Sequence, residues 1–309
     1  MNHPFRLVRD SINDTRKPTS SKPVSGLSGG IQTKPLQPDW ERIILDLQLY
    51  GQLKIITCNS AATFWHKSAL GHVINAGQCY LIKGENFQLA CNHSNLLQAS
   101  LVKDNLHDCY KSLRLLDFTG EELLRFDLTD KSYIKRYYCS LIKHWSKPST
   151  PRLVPSSNTL SCLQRIQQFI VNETHDLVNF IPVQIDASLV NETIEASNVI
   201  PLLETLIDQH CNFTIRTGND SALTSYEDQF YYFEHSVDFV KLWNQKASFK
   251  LDFSKIVKAQ VLISQEIPAK KEVVLYDADD HCIASIGMSN HASSHHKAIW
   301  KQVLKELLN

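Results

Sequence analysis

The sequence predicts a duplicated α+β protein, in which each half is an antiparallel β-sheet with packed helices. Three observations carry this. Short apolar runs of strand length recur between turn residues, with few helical stretches among them. Leu113-Arg-Leu-Leu-Asp-Phe-Thr-Gly-Glu-Glu-Leu-Leu-Arg-Phe-Asp-Leu128 lies on Val273-Val-Leu-Tyr-Asp-Ala-Asp-Asp-His-Cys-Ile-Ala-Ser-Ile-Gly-Met288 at an offset of 160, with Asp117 on Asp277. Each segment reads as strand, Asp-containing turn and strand, an antiparallel hairpin. Between the copies, Lys147-Pro-Ser-Thr-Pro-Arg-Leu-Val-Pro-Ser-Ser157 carries the prolines and hydroxyl residues of a linker. The expected organisation is a tail over 1–37, a first repeat over 38–146, a linker over 147–158 and a second repeat over 159–309.

The elements follow in order. Residues 1–37 are rich in Ser, Thr, Pro, Gly and Lys; through Asp39 six basic residues stand against three acidic. Such a segment buries too little apolar surface to offset its ordering entropy and reads as a disordered tail. Asp39 can cap a helix whose face is Trp40, Ile43, Ile44 and Leu47, and Gly51 ends it. Strand-like runs follow at 52–57, 78–83, 87–91 and 112–116, and a helix with a Tyr133, Ile134, Tyr137, Tyr138 and Leu141 stripe over 130–145. The second cycle reads as helices near 160–182 and 187–210, strands at 213–216, 229–234, 249–253, 258–263 and 272–276, and a closing helix at 297–308. The turns Lys83-Gly-Glu-Asn-Phe87 and Thr217-Gly-Asn-Asp-Ser221 make a second candidate matched pair.

Composition excludes several function classes. Lys+Arg and Asp+Glu both number 32, and zero net charge argues against a general nucleic-acid binder. No window approaches 18 consecutive apolar residues, and the N-terminus lacks a signal-peptide core, so no membrane span and a cytoplasmic location are expected. The 8 cysteines form no Cys-x-x-Cys, which removes zinc knuckles, thioredoxin chemistry and covalent c-type haem attachment. Gly-x-Gly-x-x-Gly and Walker loops, Gly-x-Ser-x-Gly and His-Glu-x-x-His are all missing.

One residue stands out. His175, in Val171-Asn-Glu-Thr-His-Asp-Leu-Val-Asn-Phe180, follows helix-start chemistry at the opening of the second copy. Imidazole is a common iron ligand, so haem is the ligand it suggests. The bland alternative is a capping or surface histidine. Phe180, Phe230, Tyr232 and Phe233 are candidate apolar walls, and Arg216, Lys270 and Lys271 candidate cations for an anionic ligand. The plain reading of strand aromatics is core.

Over about residues 28–309 the chain resembles the cytoplasmic hemin-degrading factor family of Gram-negative haem uptake and its single-repeat haem-carrier relatives. The resemblance rests on Gly51-Gln-Leu-Lys-Ile-Ile-Thr-Cys-Asn59, Ser112-Leu-Arg-Leu-Leu-Asp-Phe-Thr-Gly120, Thr217-Gly-Asn219, Val274-Leu-Tyr-Asp-Ala-Asp279 and Trp300 in the terminal helix. It implies that His175 is the proximal ligand of haem b (hemin), bound between the second half's sheet and the His-bearing helix. Departures limit what carries over. Val183-Gln-Ile-Asp-Ala-Ser-Leu-Val190 has no arginine where the family has one on the distal side, Gln88 replaces a strand arginine, and Ile286-Gly-Met-Ser289 replaces Tyr-Gly-Gln-Arg. The usual basic pair falls near Ile263 and Ser264. Candidate substitutes lie in His291-Ala-Ser-Ser-His-His296, notably His295 and His296, and in Lys297. The expected function is a haem carrier or store, receiving haem from an importer and passing it to a degrading enzyme. The alternatives are an enzyme that opens the porphyrin oxidatively, and a non-haem scaffold with a degenerate pocket.

Overall fold

The computed structural model describes residues 32–36, 40–76, 79–92, 96, 98–104, 109–116, 120–141, 190–219, 221–263, 271–289 and 291–308. Two nine-stranded antiparallel sheets account for most of them. In the first half the elements are β1 (Thr33–Leu36), α1 (Trp40–Leu47), β2 (Gly51–Cys58), β3 (Ala62–Ala69), β4 (Val73–Ala76), β5 (Cys79–Lys83), β6 (Phe87–Asn92), β7 (Gln98–Asp104), β8 (Cys109–Leu116), β9 (Glu122–Ser132) and α2 (Ile134–Leu141). The second half repeats the series as β10 (Val190–Ile194), α3 (Val199–Asp208), β11 (Phe213–Gly218), β12 (Ala222–Asp228), β13 (Tyr232–His235), β14 (Phe239–Trp243), β15 (Ala247–Asp252), β16 (Lys258–Ile263), β17 (Lys271–Tyr276), β18 (Cys282–Met288) and α4 (Ser294–Leu307).

The halves exchange strands. The first sheet runs β1-β7-β8-β9-β2-β3-β15-β14-β13, and the second β10-β16-β17-β18-β11-β12-β6-β5-β4. The two orders are the same under exchange of equivalent strands, so the duplication read from the hairpins holds throughout. Each sheet nevertheless takes three strands from the other half, joined at β3–β15 and β12–β6. Local pattern does not reveal this, because an exchanged hairpin carries the same alternation as a retained one.

Asn59 and Asn219, 160 apart, tie the exchange together. Each side-chain oxygen accepts from the two backbone amides that close its own turn, Ala61 and Ala62 or Ser221 and Ala222. Each amide nitrogen reaches across: Asn59 to the carbonyls of Gly218 and Ile283, Asn219 to those of Cys58 and Leu123. These acceptors are themselves 160 apart, so the bonds are reciprocal. The structure corrects the second matched pair of turns. Lys83–Phe87 joins β5 to β6, whereas Thr217–Ser221 lies between β11 and β12 and is the counterpart of the Asn59 turn.

Three local readings also change. Thr33–Leu36, inside the segment read as tail, pairs with β7. β9 runs to Ser132, so α2 is shorter than the helix expected from 130. Val190–Ile194 pairs with β16 instead of opening a helix at 187, because an available strand edge outweighs local propensity there. The linker, the helix read at 160–182, His175 and Phe180 lie outside the described residues.

α1 buries Ile43, Ile44 and Leu47, as its spacing predicts. Gly51 then takes φ +76°, where a Cβ would stand 3.0 Å from the Lys131 carbonyl. α3 buries Val199, Leu202, Leu203, Leu206 and Ile207, and α4 buries Trp300, Val303 and Leu304. Helices and the facing sides of both sheets share one large core. His66 lies in it, fully buried, with ring centroids of Phe87 at 4.4 Å and Tyr226 at 5.4 Å. Neither of its nitrogens has a hydrogen-bond partner among the described residues, and burial pushes its pKa down to about 3.

Candidate functional site

The outer face of the second sheet gathers polar side chains at its centre. Side chains alternate along a strand, so directly paired residues share a face. Arg216 on β11 stands between Ser285 of β18 and Ser225 of β12, and Ser225 is opposite Gln88 of β6. One register step away, Glu272 of β17, Gly287 and Thr214 make the next row.

Arg216 is 2% exposed and donates through Nη1 to Glu272 Oε1, while Ser285 Oγ donates to Glu272 Oε2 at 3.0 Å. The glycine at 287 lets the carboxylate lie across β18: a Cβ there would meet Glu272 Cγ and Oε1 at 3.0 Å. Such a pair persists in a low-dielectric setting only when both charges are hydrogen-bonded. Further along, Ser289 Oγ donates to Glu227 Oε1 and accepts from the His291 amide at 3.0 Å. Around this polar centre lies a second, smaller apolar cluster that includes Leu81, Leu223, Leu262, Val274 and Tyr276. Burial, then the nearby Cys282 and Asp280, hold the Tyr276 phenol above its usual pKa. The arrangement offers an apolar wall with a neutralised ion pair in its middle.

Lys270 lies outside the described residues, and the other cations named from the sequence sit elsewhere. Lys271 is adjacent to Glu272 on β17, so alternation turns it to the opposite face, where it pairs in register with Ile263. His295 and His296 occupy the first turn of α4, capped by Ser293, whose Oγ accepts from the His296 amide at 3.1 Å. That helix packs into the large core, away from the Arg216 face. His295 is exposed. His296 is half-buried, and its Nδ1 has no partner among the described residues; the same holds for Trp300 Nε1, one turn on. Phe230 is core, tilted against Phe213 and edge-on to Tyr226. Sequence reasoning missed Glu272 and Ser285. The available signal was a carboxylate heading an apolar run, Glu272-Val-Val-Leu-Tyr276, where a strand buried on both faces ordinarily has none.

The architecture has known counterparts. ChuS, described as an Escherichia coli heme oxygenase, superposes with a TM-score of 0.74 over 90% of this chain and 89% of its own, at 16% identity. Apo-PhuS, a heme-binding protein from Pseudomonas aeruginosa, does so with a TM-score of 0.72 over 90% and 87%, at 12% identity. The chain shares the fold of ChuS and PhuS. Holo-PhuS matches equally, at 0.72 and 12% identity over 88% of this chain. No protein-family model matches the sequence, and no curated protein matches it significantly. At these identities the agreement is one of fold. No described helix is long and apolar enough to cross a membrane.

Proposed function

We propose that this chain is a cytoplasmic haem-binding protein of haem and iron acquisition, which carries or stores haem for degradation. The observation that supports it is the full-length match to ChuS and PhuS, whose descriptions name a heme oxygenase and a heme-binding protein. His175 is the proposed proximal ligand and Phe180 part of the wall. The apolar cluster around Leu223 and Val274 has the chemistry that a macrocycle packs on. Arg216 is the proposed propionate partner on that face, acting only if it divides its donors between Glu272 and the ligand, whereas Lys271, His295 and His296, the further partners expected from the sequence, lie on the other side of the sheet.

Binding is preferred over ring opening because oxygen activation draws on polar groups at the open face of the iron. Gln88 stands where the family has an arginine, and the Arg216 charge is already neutralised by Glu272. Hemin added to the protein is expected to give a Soret band that saturates at one equivalent. Ascorbate with catalase present is then expected to leave that band in place. Bleaching to a biliverdin-like product under those conditions would instead establish the degrading enzyme, the reading that the ChuS match favours. A chain that gives no Soret shift is the scaffold.

A further inference from the structure

The outer face of the first sheet is built quite differently from its counterpart. Where the second sheet places Thr214, Arg216, Ser225 and Lys83, the first has Lys54, Ile56, Trp65 and Trp243 at the positions 160 away. Registers put Tyr232, Trp243, Ser248, Trp65 and Ile56 in one row across β13, β14, β15, β3 and β2. Lys54 and Lys67 pair on one side of that row, Lys241 and Lys250 on the other.

The rings are accessible and the ammonium groups lie over them. Tyr232 is 54% exposed and stacks on Trp243 at 5.4 Å and 17°; Trp65 and Trp243 are half-buried. Lys54 Nζ stands 4.7 Å from the Trp65 ring, Lys241 Nζ 4.6 Å from Trp243, and Lys250 Nζ 5.0 Å from Phe239. Two carboxylates on β9 are engaged by arginines: Glu122 with Arg114 at 2.9 Å, and Asp127, the register partner of Lys54, with Arg125 at 3.2 Å. Beside the aromatic row stand Glu234, opposite Lys241, and Asp252, two residues beyond Lys250 on the same face and held by Lys255 at 3.5 Å. The four lysines flank the rings, although the whole chain is neutral.

We infer that this face binds single-stranded nucleic acid, with bases stacking on Trp243, Tyr232 and Trp65 and phosphates on the flanking lysines. A flat sheet of exposed rings between rows of cations offers both things that a single strand requires, a π-surface and a track for its backbone. The zero net charge speaks against bulk electrostatic coating and leaves a local site of this kind open. The inference is independent of the haem reading, since it uses the other sheet.

The test is fluorescence anisotropy of a labelled short oligothymidylate titrated with the full chain. Binding is expected below about 100 μM, weakening with salt along a log–log slope near about −3 for four phosphate contacts. Trp243→Ala is expected to weaken it about tenfold, and so is the exposed Tyr232→Ala, which leaves the fold intact if Trp243→Ala does not. Lys241→Glu with Lys250→Glu is expected to flatten the salt slope by about half. Heparin and the matching duplex are expected to bind at least about tenfold more weakly than the single strand, as they offer no free bases. The inference is overturned by no anisotropy change at about 100 μM protein. It is equally overturned if both aromatic variants bind as the parent does, or if heparin competes as well as the single strand. Association with phosphatidylserine vesicles without oligonucleotide binding would also overturn it, and would reassign the face to a membrane surface.

Discussion

His66→Phe is expected to make the protein markedly less sensitive to acid. In the native chain the imidazole is 0% exposed, enclosed by Phe64, Phe87 and Tyr226, and held near pKa 3 by burial. The Tyr226 phenol on the ring packed against it donates to Asp228 at 2.9 Å and is raised in pKa, first by its own burial. The sign follows from linkage. The folded pKa lies below the unfolded value of about 6.5, so above that value both states are neutral and pH has no effect through this group. Below it the unfolded chain takes up a proton that the folded chain refuses. Stability then falls by about 1.4 kcal/mol per pH unit until the pH reaches about 3, a total of about 5 kcal/mol. Phenylalanine has no proton to take up. It also relieves two buried nitrogens without partners among the described residues, at about 1–3 kcal/mol for each unsatisfied group. Urea unfolding of parent and variant at a series of pH values measures the difference. The gap is expected to widen as pH falls from 6.5, and parallel curves would show that the imidazole is protonated or solvated in the folded state.

Arg216→Met is expected to destabilise the fold by about 3–5 kcal/mol, because it leaves the Glu272 carboxylate, which accepts from Ser285, in a buried site without its compensating charge. Arg216→Met combined with Glu272→Leu is expected to recover most of the loss, since two apolar side chains need no compensation there. A double-mutant cycle by urea unfolding gives the coupling energy. If the single and double variants are equally unstable, Arg216 acts through packing and not through Glu272.

Much of the fold is legible in the sequence, and the reasons are local. The offset between Asp117 and Asp277 exposes the duplication, and the α1 face and the Trp300 helix are read from spacing alone. β3, with Thr63, Lys67 and Ser68 among its residues, has no clean alternation to announce it; its register is set by β2 and β15. The strand exchange is invisible for the same reason, since nothing in Cys79–Lys83 names the sheet it joins. At the candidate site, Arg216 is identifiable as a buried-strand cation, but Glu272, 56 residues later, is assigned to it only by the sheet. Asn59 and Asn219 show the opposite case: both lie in quoted motifs, and their role is to clasp the two halves.

The central claim is that haem binds through His175. A hemin titration of the parent chain and of His175→Ala, followed in the Soret region, tests it most directly. The account predicts a sharp, saturable band at one equivalent in the parent, and a shifted or weakened band in the variant with an affinity lower by about tenfold or more. An unchanged band and affinity in His175→Ala would contradict it.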